Sequence, residues 1–325
     1  MSISRHHFHR NEEDSPGNAT RCSMADEKRT AAAIAGNCFA MLFYGLSFLW
    51  TKVAFKYCGP FTVIFVRLVL SSAFLAIVDA LRIRGRTASP GHSRIERKDF
   101  VSLVILSLFM PFLYFVGENL GLMSVSPAVA ATIIALIPVV TPLMSRIFLA
   151  ERVGILAVAG MILSLAGVLL MIKNGLADAS ATVGGACLVF LAVLAASLGA
   201  VAVRKLPLRL SGITIVKYQN FFGALMFLPL FLFYEAGEAV LILPAPELYW
   251  SLGALALLPS TVSYLFYNNA IRVLGPARAS VFSNAVPVIA AAFSAIVLGE
   301  KFGAVKILGM GIALVGVAIS QIRNS

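Results

Sequence analysis

Residues 127–168 and 276–317 are one passage written twice, 149 residues apart and in a single frame without a gap. Of 42 aligned positions 15 are identical, among them Pro127/Pro276, Pro138/Pro287, Glu151/Glu300, Gly154/Gly303, Gly160/Gly309 and Gly167/Gly316. Two unrelated apolar stretches align Leu with Ile by chance, but they do not hold Pro, Gly and Glu in one register. The chain is two copies of one unit, and its fold has to be built from that unit twice.

Composition sets the solvent of that fold. The 325 residues are 59% hydrophobic and 13% charged, against roughly 45–50% apolar for a soluble domain. Lipid-facing as well as core-facing positions must then be apolar, and the expected fold class is an all-α integral membrane protein. Duplication in such a chain points to transporters. The net charge of +11 lies mostly in tails and loops, so it calls for no nucleic-acid partner. Four cysteines without a Cys-x-x-Cys pair support neither a disulfide framework nor a zinc site. No metal or other cofactor is expected. Residues 1–32 are polar, hold three of the four histidines, and read as a disordered cytosolic tail; weak metal binding by His6-His7-x-His9 is the alternative reading. No secretory leader is recognised, and Met24 is a second candidate start.

Ten apolar stretches fall at 33–55, 61–81, 100–121, 127–149, 153–172, 183–203, 212–234, 247–270, 277–299 and 303–322. Each is about long enough to cross roughly 30 Å of hydrocarbon as a helix. The first unit is 33–172 and the second 183–322, five helices in each. Five is odd, so the second copy enters the membrane upside down, as an inverted-topology repeat. With the N-terminus inside, 19 of the 26 Lys and Arg lie on the inner side and five on the outer; Arg67 and Lys217 lie within spans. Both termini are therefore expected in the cytoplasm of a bacterial-type inner membrane.

The endings Leu149-Ala150-Glu151-Arg152 and Leu298-Gly299-Glu300-Lys301 each follow a helix with a central proline, Pro138 or Pro287, and precede a glycine-rich helix. With Tyr44-Gly45-Leu46-Ser47-Phe48 in the first span, these residues resemble the EamA-type members of the drug/metabolite transporter superfamily. The resemblance covers about 33–322. It implies a ten-helix secondary transporter, often an exporter of metabolites, amino acids or drugs, driven by a proton gradient or by exchange. Ala150 departs from the glycine common in that family.

Ionisable groups inside lipid are functional candidates by default. Arg67, about 9 Å below the outer boundary, has two readings: a fork for a substrate carboxylate or phosphate, or a side chain that snorkels or pairs with a fixed carboxylate. Lys217 is shallow enough to snorkel. Gln219 matches Arg67 in the other copy and is expected to face a central cavity. Glu118 reads as a proton-coupling group or a gate, with Asn119 beside it and Asn268 as the repeat partner of Asn119. Tyr264 and Tyr267 share a face with Ser260, as Tyr114 does with Glu118. These faces offer aromatic walls with polar handles or, alternatively, interhelical hydrogen bonds. Pro287 frees the carbonyl of Ser283, which with Asn284 forms a polar patch near mid-membrane; Pro138 frees Ile134 likewise. Ser47 joins the substrate-binding group. Glu151 and Glu300 read as structural, each meeting the N-terminus of the helix that follows. The glycine pairs read as packing.

The expected function is a secondary transporter, exporter or exchanger, of a small polar or amphipathic metabolite such as an amino acid. It works by alternating access with protons as a candidate coupling ion, amid membrane lipid and as monomer or homodimer. A membrane-embedded enzyme or a non-transporting structural protein is the alternative. No Walker motif appears and no histidine lies in a span, which disfavours ATP-driven transport and His-based catalysis.

Overall fold

The computed structural model describes residues 16–85, 95–125, 127–172, 182–239, 245–298 and 303–322. Regular structure among them is helical throughout, as expected where every backbone donor and acceptor must be satisfied without water. α1 (Pro16–Ala54) and α2 (Pro60–Gly85) come first. The third span is α3 (Arg97–Ser107), a π-helical turn (Leu108–Leu113) and α4 (Tyr114–Leu122). The fourth is α5 (Pro127–Ile134) and α6 (Ile137–Leu149), and the fifth is α7 (Ile155–Ile172). The second copy gives α8 (Val183–Lys205), α9 (Gly212–Tyr234) and a short α10 (Ala236–Ala239). After these come α11 (Pro246–Leu257), a π-helical turn (Leu258–Ser263) and α12 (Tyr264–Leu274). The chain ends with α13 (Pro276–Val281), a 3-10 turn (Phe282–Asn284), α14 (Ala285–Leu298) and α15 (Ala304–Ser320).

One boundary differs from expectation. α1 begins at Pro16, so residues 16–32 are helical and not an irregular tail. Between Gly17 and Gly36 there is neither proline nor glycine, and Ala, Glu, Lys and Arg all favour helix. The expected histidine cluster lies outside the described residues.

Among the described residues, six helices are long and apolar enough to cross a membrane: Asp26–Ala54, Pro60–Arg82, Arg97–Leu122, Val183–Lys205, Gly212–Tyr234 and Pro246–Leu274. Ile137–Leu149, Ile155–Leu170 and Ala304–Ser320 are shorter and apolar. Large apolar side chains such as Ile77, Leu81, Ile147, Phe233, Trp250 and Leu308 point outward, as lipid permits. The chain is thus an all-α, multi-pass membrane protein.

Four spans are broken, at matching places in the two copies: the turns at 108–113 and 258–263, and those at 135–136 and 282–284. Proline explains the pattern. Pro111 and Pro259 lie within the two π-helical turns, and Pro138 and Pro287 open the helices after the other two breaks. Each lacks an N–H and crowds the carbonyl one turn back, so the helix interrupts there.

Packing also recurs between copies. α4 lies on α8 as α12 lies on α1, and α6 lies on α8 as α14 lies on α1. The remaining large contacts join repeat partners, α2 with α9 and α7 with α15. Both partner pairs are antiparallel. Thr62 at the start of α2 meets Glu235 just past the end of α9, while Asp79 near the end of α2 meets Lys217 near the start of α9. A Cβ on Gly160 of α7 would lie 2.4 Å from the Ser320 nitrogen, and one on Gly167 2.3 Å from the Ala313 nitrogen. Glycine is what lets α7 and α15 approach so closely.

Candidate functional site

α2 places Arg67 in the interior with 7% of its surface exposed. It does not snorkel, and it pairs with no carboxylate among the described residues. Its guanidinium lies 4.4 Å from the centre of the Phe115 ring, a contact worth about 2 kcal/mol when desolvated. Its charge is set among the hydroxyls of Tyr264, Tyr44 and Tyr114 and the carboxylate of Glu118, and the Tyr264 hydroxyl lies against it. Tyr44 meets Tyr264 and Tyr267 edge to face, at 6.2 and 6.4 Å between ring centres. The Tyr114 hydroxyl donates to Glu118 Oε1 at 3.2 Å. Arg67 Nε, the Tyr44 and Tyr264 hydroxyls and Asn119 Nδ2 are buried without a hydrogen-bond partner. α1, α2, α4 and α12 together thus bring four tyrosines, one guanidinium and one carboxylate into a single polar cluster.

Beside it, two adjacent residues of α9 satisfy the carbonyls that the helix breaks release. Gln219 Nε2 donates to the Met110 carbonyl at 3.0 Å, and Asn268 Nδ2 donates to Gln219 Oε1 at 2.9 Å. Asn220 Nδ2 donates to the Ser260 carbonyl and to Ser71 Oγ, both at 2.7 Å; Ser71 Oγ also contacts Thr261 Oγ1 at 2.5 Å. Gln219 and Asn268 therefore tie broken helices to α9, and neither has its amide free for a ligand in this conformation.

The remaining predicted residues are dispersed. Ser47 Oγ donates to the Tyr44 carbonyl and Ser283 Oγ to the Ser280 carbonyl, each within its own turn. Asn284 is 1% exposed, and its Nδ2 donates to Ser164 Oγ of α7 at 3.0 Å. Its repeat partner Ala135 packs with Val168, Val288 and Ala313. Pro138 and Pro287 follow breaks, as expected. Glu151 does not meet the helix it precedes: its Oε1 accepts from Arg204 Nε of α8 at 3.0 Å, and it lies against Gly275. A long side chain at that corner reaches a full cation more favourably than a partial helix charge. Glu300 lies outside the described residues. Lys217 does not snorkel; its Nζ is 2.5 Å from Asp79 Oδ2.

Several polar residues went unnoticed in the sequence. Ser71 and Asn220 touch across α2 and α9, and listing every polar residue within those two apolar stretches would have found them. Asp79 is a carboxylate inside the second apolar stretch, near its C-terminal end. Tyr44 stood in the aromatic-glycine motif without a role assigned. Glu235 is 8% exposed and accepts from the Phe61 and Thr62 nitrogens and from Thr62 Oγ1, at 3.1, 2.7 and 2.7 Å. It caps α2, where a helix N-terminus favours an anion.

The EamA-like transporter family matches this chain twice, over residues 31–173 and 183–321. An uncharacterized transporter of Archaeoglobus fulgidus is 26% identical over 85% of this chain and 94% of its own length. The uncharacterized transporter YcxC of Bacillus subtilis is 25% identical over 92% and 96%. A probable terminal-alkyne amino-acid exporter of Streptantibioticus cattleyicolor is 26% identical over 79% and 82%. The crystal structure of another protein superposes with a TM-score of 0.73 over 90% of this chain and 99% of that one, at 19% identity. That last likeness is one of fold.

Proposed function

The chain belongs to the EamA-like transporter family, and on that premise we propose that it is a secondary transporter, exporter or exchanger, of a small polar or amphipathic metabolite such as an amino acid. The family and its named relatives are transporters, not enzymes. The observation that carries the reading is Arg67: a buried cation with no paired carboxylate among the described residues, set between helices of both copies. An unpaired charge in a low-dielectric interior is costly, and a substrate supplies what the chain does not. The probable amino-acid exporter among the relatives favours an amino acid as cargo.

The mechanism is alternating access by two five-helix halves, ten spans in all, each half rocking against the other around the Arg67 pocket. The antiparallel run of α2 against α9 and of α7 against α15 supports an inverted relation between the halves, because an upside-down copy reverses every helix. The basic inner loops support cytoplasmic termini. Glu118, held by Tyr114, is the carboxylate in the pocket and the group that would take up and release a proton. In proteoliposomes an internal amino-acid pool should drive uptake of the same labelled compound; no counterflow across a broad metabolite panel would defeat the transport reading. Glu118→Gln should keep that exchange and lose accumulation driven by a pH gradient. An unaltered pH response would remove Glu118 from coupling.

A further inference from the structure

We propose that Arg67, Tyr44 and Tyr264 form one oxyanion cradle, shared between the two halves, that takes the carboxylate of an amphipathic monocarboxylate substrate. This rests on the transport reading for its purpose and on three unpartnered donors for its chemistry. Arg67 Nε and the hydroxyls of Tyr44 and Tyr264 are all buried and make no hydrogen bond of full geometry, although the Tyr264 hydroxyl lies against the Arg67 guanidinium. A buried polar group left unpaired costs about 1–3 kcal/mol, so three around one point form an arrangement that a ligand completes. A guanidinium donates only, whereas a hydroxyl donates or accepts. The ligand group common to all three is a hydrogen-bond acceptor that carries negative charge.

Charge selects among oxyanions. An ammonium on the same substrate would balance Glu118, held by Tyr114, which leaves one guanidinium for one negative charge. A phosphate monoester carries about −1.5 to −2 near neutral pH and would face that carboxylate with surplus charge; a carboxylate carries one. Phe115, 4.4 Å from the guanidinium, and the Tyr267 ring, 6.4 Å from Tyr44, give the rest of the molecule an aromatic wall. Tyr44 and Arg67 come from the first copy and Tyr264 from the second. A carboxylate bound by all three joins the halves, so its arrival and departure bias their relative position.

Thermal shifts of the purified full-length protein test the cradle with L-amino acids, each beside its carboxamide and its decarboxylated amine, since a ligand of the folded state raises its apparent stability. At least one acid should bind, and its amide and amine should bind about tenfold to a hundredfold more weakly. Tyr44→Phe and Tyr264→Phe, which keep the ring and lose one oxygen, should each weaken the acid about tenfold and leave the amide and amine unchanged. Arg67→Lys should weaken it further; if that variant does not fold, the two Phe variants still decide. The cradle is overturned if no acid binds, if acid and amide bind alike, if both Phe variants bind the acid normally, or if phosphomonoesters bind more tightly than carboxylates. Counterflow separates the two readings. Acids that bind but never exchange defeat transport and leave the cradle standing; amines or neutral solutes that exchange while acids do not bind defeat the cradle alone.

Discussion

Ala150 closes α6 with φ 54° and ψ 23°, a left-handed conformation, at a place where the second copy has Gly299. For a residue with a Cβ this backbone costs roughly 1–2 kcal/mol, part of which glycine returns as unfolded-chain entropy. Ala150→Gly should stabilise the protein by about 0.5–1 kcal/mol, visible as a raised thermal midpoint in detergent. A lowered midpoint would mean the corner tolerates alanine without strain. The departure from glycine is legible in the sequence; the left-handed backbone is not, because it depends on how Glu151 is drawn to Arg204 and Gly275. The same limit applies to Arg67. Its type and depth singled it out, yet its lack of a carboxylate partner is a statement about every neighbour at once.

At the level of helices, the repeated glycines were read as packing, and the α7–α15 contact gives that reading a place. A Cβ on Gly316 would lie 2.3 Å from the Ser164 nitrogen, whereas one on Gly311 of the same helix meets nothing within 4 Å. Gly316→Val should therefore force the pair apart and lose about 1–3 kcal/mol or more, while Gly311→Ala should be near neutral; denaturant titration of both variants checks this. Equal stability of the two would remove the close approach as a structural requirement. The prolines announced two of the four helix breaks, those after 134 and 281, and Pro111 and Pro259 mark the other two in retrospect. What periodicity did not reveal is how the freed carbonyls of Met110 and Ser260 are satisfied. Gln219 and Asn220 do this from α9, more than 100 residues from one break and 40 from the other.

Across the whole molecule, α2 and α9 clamp one half to the other at both ends, through Glu235 on the α2 N-terminus and through Asp79 with Lys217. The Asp79–Lys217 side chains are 14% and 19% exposed, so removing the lysine takes a close cation from a carboxylate in a poorly hydrated place. Lys217→Met should destabilise by about 2 kcal/mol, and adding Asp79→Leu should restore most of it, since an apolar pair can replace a buried ion pair. A double variant no more stable than the single one would show the pair contributes by other means. Snorkelling was the natural reading of Lys217 from sequence, because depth alone was known and Asp79 sits 138 residues away. By itself the sequence determined an apolar helical chain made of two like halves and broken by proline, since composition, period and backbone chemistry are properties of the covalent string. It also placed Arg67, Glu118 and Tyr264 on the helices where they are found. Only the tertiary structure decided which polar groups are satisfied and which are left facing one another. That outcome depends on the crossing of helices from both copies, where Gln219 and Asn268 find partners and Arg67 Nε and the Tyr44 hydroxyl do not.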